Sequence, residues 1–230
     1  MAALFDQYRS SYNRTVDDSI SFSGLKHDFF LQAKVEPLAR LIAERGLGRD
    51  PNGVRALDVG CGVGALHPYV KPLFSTLEGC DISSESVDRA REDNPWVAYK
   101  AYAGPDLPYP DQSFDLAFAV CVVHHVPPEQ WSAFLAEMRR VVRPGGIVCV
   151  IEHNPFNPLT RLAVLRCPFD ADAVLLGSRA AGRLLTAAGL TEIEGRHFLL
   201  LPFANPIARR IEGWFTRMPF GAQYVCSGRV

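Results

Sequence analysis

Three groups of residues have the types and spacing to do chemistry. The first is Val54–Leu66, VRALDVGCGVGAL, where Gly60, Gly62 and Gly64 fall in five positions directly after a short apolar run ending in Asp58 and Val59. Glycine removes side chains where a backbone must turn sharply or let a flat or charged ligand approach. The second is Asp81, at the end of a further apolar segment about 20 residues on. In nucleoside-binding βαβ units a carboxylate there accepts hydrogen bonds from ribose hydroxyls. The third is histidine after the next two buried segments, His124 and His125 and then His153, beside Glu152 and Asn154. Histidine suits proton removal near neutral pH. Each feature has a plainer reading too: a tight strand-to-helix turn for the glycines, a helix cap for Asp81 or Ser83, and backbone partners for the histidines.

Spacing alone leaves the ligand open. Gly60-x-Gly62-x-x-Ala65 also satisfies a dinucleotide pattern, so nicotinamide and flavin cofactors stay in play on this stretch. A metal site drawn from His27, His124, His125, Glu152, His153 and Asp170 has no HxH or HxxxH spacing behind it, and no metal is expected.

Positioning these groups takes a parallel sheet. Apolar runs at 54–59, 75–80, 96–102, 114–123 and 147–151 read as strands, the fourth buried on both faces because Asp115 is the charge within it. Between them lie a short helix over 65–73, one beginning near Ser84, and one with Trp131, Phe134, Leu135, Met138, Val141 and Val142 at helical spacing, stopping at Pro144-Gly145-Gly146. Ser178 is expected to cap a helix over 179–188. A strand over 191–201, a helix over 207–216 and a last strand over 222–230 follow. The loop from Glu152 is longer than an ordinary connection, which suits a functional role. Residues 1–26 and 27–45 carry apolar residues at helical spacing, with a kink expected at Pro37. This leader serves either as an extra helical layer or as a fold over the ligand crevice.

Composition narrows the class. A chain of 230 residues suits a single domain, residues 1–230, divided into a helical leader (1–53), a cofactor-binding core (54–151) and a C-terminal part holding the substrate loop and the rest of the sheet (152–230). Hydrophobic residues at 48% and a net charge of −1 give no electrostatic case for nucleic acid. Six cysteines without a CxxC pair read as small core residues in a reducing, cytoplasmic protein, and the absence of a signal-like or spanning apolar run suits a soluble, unprocessed chain.

Taken in order, LDVGCGVG (57–64), GCDIS (79–83), DLPYPDQSFDLAF (106–118) and RVVRPGG (140–146) resemble the four successive motifs of the class I S-adenosylmethionine-dependent methyltransferases. The subgroup resembled includes ubiquinone and menaquinone C-methyltransferases and small-molecule O- and N-methyltransferases. The resemblance covers residues 54–151 well and the rest loosely. It implies an α/β fold: a Rossmann-like, doubly wound, seven-stranded, mostly parallel sheet with an antiparallel last strand, here with an N-terminal helical extension. It implies S-adenosyl-L-methionine as cofactor and S-adenosyl-L-homocysteine as product.

The same resemblance assigns residues. Asp58 organises the loop near the methionine amino group, Gly60, Cys61, Gly62 and Gly64 bring backbone to the cofactor, and Asp81 holds the ribose. Ile82, Tyr102, Ala103 and Gly104 surround adenine, and Cys121 lies beside the sulfonium. Ala103 stands where the family pattern has an acid, so adenine is expected to rely on Asp106, backbone, water or apolar contact. His124, His125 and His153 are the candidate bases. Tyr8, Tyr12, Phe29, Phe156, Phe169 and Trp214 are candidate aromatic walls for a small acceptor, in a monomer or homodimer. Two other readings remain: methylation of a macromolecule, and a binding protein that uses the cofactor without methyl transfer.

Overall fold

In the computed structural model of the chain, the described residues are 12–47, 53–200 and 219–230, the side chains of residues 12 and 13 excepted. Seven strands form one sheet: β1 (Arg55–Val59), β2 (Thr76–Asp81), β3 (Ala98–Ala101), β4 (Phe114–Val120), β5 (Val142–His153), β6 (Thr191–Phe198) and β7 (Gln223–Arg229). Their order is β3-β2-β1-β4-β5-β7-β6. The pairs from β3 through β5 are parallel, and β7 runs antiparallel to both β5 and β6. This is the expected Rossmann-like sheet with its antiparallel last strand.

Strand alternation divides the core into two layers. Ala56, Leu116, Phe118, Ile147, Cys149 and Ile151 face one side, where Leu38, Leu41, Ile42, Val70, Val87 and Ala90 cover them. Leu57, Val59, Ala117, Ala119, Val148 and Val150 face the other, under Leu135, Met138, Val141 and Leu185. The helices Val35–Arg45, His67–Val70 and Ser84–Asp93 thus lie on one face, with Trp131–Val141 and Ser178–Ala187 on the other. The leader divides between the two roles open to it. Its helix Val35–Arg45 is a core layer with Leu38 fully buried, while residues in and around His27–Gln32 line a cavity.

Several boundaries differ from expectation. The leader helix breaks at Ala33-Lys34, ahead of Pro37, because proline in the first turn of Val35–Arg45 gives up an amide that has no intrahelical acceptor. The helix Trp131–Val141 ends before Arg143-Pro144-Gly145-Gly146, since Val142 is already extended; these residues form an irregular start to β5, with Gly145 at φ 80°. Gly177, not Ser178, is the N-cap of Ser178–Ala187, and the Ser178 hydroxyl lies 3.3 Å from His197 Nε2 instead. Ser83 does cap Ser84–Asp93, accepting the Ser86 amide. The long connection after β5 contains the helix Pro158–Arg166 and a short turn at Pro168–Asp170. The expected helix over 207–216 lies outside the described residues, as do Tyr8, the Tyr12 side chain and Trp214.

Candidate functional site

A cavity of about 1030 Å³ opens beyond the carboxyl ends of β1, β2 and β4, where open parallel sheets bind their ligands. Two sides of it have distinct chemistry.

The first is the glycine loop. The Gly60 and Cys61 amides both donate to the Cys80 carbonyl, at 2.8 and 3.0 Å, which folds the loop over the end of β2. Gly60 has φ 76°, and a Cβ there would come within 2.6 Å of a Val122 methyl. Gly62 has open space at its Cβ position, so its backbone is accessible from the cavity. Its amide donates to Asp81 Oδ2 at 2.8 Å while the Ser83 amide donates to Oδ1 at 2.9 Å. Burial raises the Asp81 carboxyl above its ordinary value against these two donors.

Asp58 is buried, with Oδ2 2.9 Å from His67 Nε2, and His67 Nδ1 in turn meets the Tyr99 hydroxyl at 2.5 Å. Asp58 Oδ1 has no hydrogen-bond partner among the described residues, although Asp58 lines the cavity. A buried carboxylate oxygen without a donor calls for one. This side therefore fits a ligand carrying a cationic amine beside Asp58 and hydroxyls beside Asp81. Cys61, Ile82, Tyr102, Gly104 and Cys121 also line the cavity. Gly64 does not: the space at its Cβ is taken by the Tyr99 hydroxyl and the Asn94 amide, so its glycine serves helix packing. Ala103 is absent from the lining too.

The second side gathers the histidines. Glu152, next to last in β5, is almost fully buried, and its Oε1 accepts the Val122 and Val123 amides at 3.0 and 2.7 Å, fixing the turn that presents His124 and His125. Its Oε2 meets His124 Nδ1 at 2.6 Å. Asp170 Oδ1 lies 3.4 Å from the Nε2 atoms of both His124 and His125. The Val174 amide donates to the His124 carbonyl at 2.9 Å and holds the Asp170 segment against this turn. Burial works to neutralise His124, but the charge of Glu152 and hydrogen bonds to Asp170 and Glu152 outweigh it and hold its pKa well above the ordinary value. Burial and the neighbouring His124 charge bring His125 and His153 down to about 4. Of the three candidate bases, His125 and His153 are thus neutral at pH 7, while His124 holds its proton more tightly than an ordinary histidine. Asn154, another candidate by position, instead donates to the Pro219 and Gly221 carbonyls.

Sequence reasoning missed Lys34. It is 4% exposed and lines the cavity, and its Nζ donates to the Phe30 carbonyl at 2.9 Å. No carboxylate pairs with it among the described residues, and burial lowers its pKa. A lysine in an amphipathic leader carries no signal that would distinguish it from a solvated one. The walls between the two sides are apolar: Phe22, Leu25, Phe29 and Phe30 from the leader, Leu159 and Val164 from Pro158–Arg166, and Phe169. Phe156 is 75% exposed and outside the cavity.

Comparison with known proteins agrees with this geometry. A family model described as a methyltransferase domain matches residues 57–150. The chain is 30% identical over 181 residues to a ubiquinone biosynthesis O-methyltransferase of Mesorhizobium japonicum, covering 70% of this chain and 72% of the relative. It is 35% identical over 129 residues to a 2-methyl-6-phytyl-1,4-hydroquinone methyltransferase of Synechocystis, covering 54% of this chain and only 40% of that relative's length. Among solved structures, a Thermotoga maritima SAM-dependent methyltransferase, described as a possible histamine N-methyltransferase, superposes with a TM-score of 0.67 at 20% identity, covering 100% of this chain and 99% of that one.

Proposed function

This chain belongs to the class I S-adenosylmethionine-dependent methyltransferases, and from that premise we propose that it methylates a small quinone-related phenol or hydroquinone held in the cavity beside the cofactor. S-adenosylmethionine, when bound, supplies a methyl group on a sulfonium, open to in-line attack. The residues present fit its polar groups: Asp58 Oδ1 would meet the amine, Asp81 at the end of β2 would take the ribose hydroxyls, and Gly60 and Gly62 would let the backbone come close. Ile82 and Tyr102, which line the cavity, would flank adenine, with no acid at Ala103.

One observation carries the reading. The same cavity is lined by Asp58 and Asp81 and by His124, His153 and Lys34, so donor and acceptor share one enclosure. Its volume of about 1030 Å³ lies at the top of the range for ligand pockets, about 300–1,000 Å³, which leaves room for two ligands. On the acceptor side the Lys34 amine and the His124 ring, whose proton Glu152 and Asp170 hold, offer donors that favour the phenolate form of an acceptor hydroxyl, while neutral His125 and His153 can take its proton. Apolar leader and Pro158–Arg166 side chains suit an aromatic ring with a hydrocarbon substituent. Burial pushes the Cys121 thiol up to about 11, so beside the sulfonium it stays protonated and a poor competing nucleophile. Two relatives act, by their names, in ubiquinone synthesis and on a phytylated hydroquinone, which supports the acceptor class.

The test is label transfer from methyl-labelled S-adenosylmethionine to a panel of hydroquinones, catechols and phenols with and without alkyl tails. Transfer to tailed phenolic acceptors, lost in Asp81→Ala, is expected. Transfer only to amines or to a macromolecule would overturn the acceptor assignment.

A further inference from the structure

We propose that His124, His125 and Asp170 form a binding site for one divalent transition-metal ion of the zinc or ferrous type, at the acceptor end of the cavity. The geometry suits a metal ion as well as it suits the long hydrogen bond that joins His124 to Asp170 without one. A single carboxylate oxygen, Asp170 Oδ1, stands 3.4 Å from His124 Nε2 and 3.4 Å from His125 Nε2. Both separations are longer than a good N–H···O hydrogen bond, about 2.7–3.2 Å. They match the edge of a tetrahedron whose metal–ligand bonds are about 2.0–2.2 Å, roughly 3.3–3.6 Å between ligand atoms. The three donor atoms all lie within 4.8 Å of one another.

The surroundings support the same assignment. Glu152 Oε2 holds His124 through Nδ1 at 2.6 Å, leaving Nε2 directed at Asp170. A carboxylate behind a ligating imidazole is the arrangement that orients histidine for a metal and raises its basicity. Two carboxylates, Glu152 and Asp170, flank two imidazoles with little solvent, and a dication balances them. All three ligating residues line the cavity that would hold the acceptor. Two nitrogens and one carboxylate oxygen suit zinc or ferrous iron better than calcium or magnesium. Sequence spacing had no means of finding the site: His124 and His125 are adjacent, and the loop carrying Asp170 is brought back by the Val174 amide on the His124 carbonyl.

In the methyl-transfer reading the ion replaces the His124 proton in holding an acceptor oxygen as its anion and leaves proton removal to His153; that role rests on the reading, but metal uptake does not. The test is spectroscopic titration of the chelator-treated full chain with Co²⁺, and calorimetric titration with Zn²⁺. The expected result is one ion per chain, with cobalt d–d bands of nitrogen and oxygen ligation and no thiolate-to-cobalt charge transfer. Asp170→Asn and His125→Ala are each expected to weaken Zn²⁺ binding at least 100-fold while S-adenosylhomocysteine binding, the check on folding, is retained. No uptake by the wild-type protein, thiolate bands from its free cysteines, or unchanged affinity in Asp170→Asn would each overturn the site. S-adenosylhomocysteine binding without metal uptake would overturn this inference and leave the function standing; metal uptake without cofactor binding would do the reverse.

Discussion

At the residue scale, Asp81 and Lys34 make opposite demands on the fold and on binding. Burial raises the Asp81 carboxyl, so the folded state holds its proton more tightly than the unfolded chain does. Its charged form therefore costs stability at neutral pH, and that cost fades as pH falls through the raised value. Asp81→Asn relieves that cost but sets an NH2 group against one of the two backbone amides the carboxylate accepts; it is expected to leave apoprotein stability little changed, yet to weaken S-adenosylhomocysteine binding roughly 10- to 100-fold, from the loss of charge-assisted hydrogen bonds worth about 1.5–3 kcal/mol. Paired thermal melts and calorimetry check both outcomes. The same shift predicts that wild-type cofactor affinity starts to fall, on acidification, at a pH above that expected of an ordinary aspartate. Lys34→Met removes a buried amine whose hydrogen-bond partner among the described residues is the Phe30 carbonyl. It should raise KM for a phenolic acceptor about 10-fold or more, the worth of a hydrogen bond to a charged group, while cofactor affinity stays unchanged. Steady-state kinetics with each substrate varied in turn separates the two.

At the element scale, the strand-loop-helix unit was legible because its signals are local. The apolar run, the close glycines and an acid after the second strand lie within a short stretch, and the structure brings Asp58, Gly60, Gly62 and Asp81 to one cavity wall. Gly64 misled for a physical reason: glycine also answers close helix packing, here against Tyr99 and Asn94. Arg143-Pro144-Gly145-Gly146 read as a helix stop, but Val142 was already extended, and proline followed by glycines suits an irregular strand start as well. Gly60→Ala tests the loop. Its φ of 76° and the nearby Val122 methyls make a side chain unfavourable there. A stability loss of about 1–3 kcal/mol is expected from the backbone conformation, together with weaker cofactor binding, measured by urea unfolding and calorimetry.

At the scale of the whole molecule, what sequence could not supply was contact between distant segments. Leu38 looked like any apolar position of an amphipathic leader; the structure buries it fully in the layer that covers β1, β4 and β5. The leader is thus part of the folded core as well as a wall of the cavity. Leu38→Ala should cost about 2–5 kcal/mol of folding stability, as for other buried leucines, and an unchanged denaturation midpoint would show the leader to be a detachable cover. Lys34 reaches the acceptor side only because the helix it precedes packs there, and Asp170 only because its loop folds back onto the histidine turn. The central claim is that donor and acceptor occupy opposite sides of this one cavity. A crystal structure of the protein with S-adenosylhomocysteine bound tests it most directly. The account predicts the ribose hydroxyls on the Asp81 carboxylate, the amine at Asp58 Oδ1 and the sulfur turned toward Cys121 and the histidines. An adenosyl group lodged against Lys34 and His153, or bound outside the cavity, would contradict it.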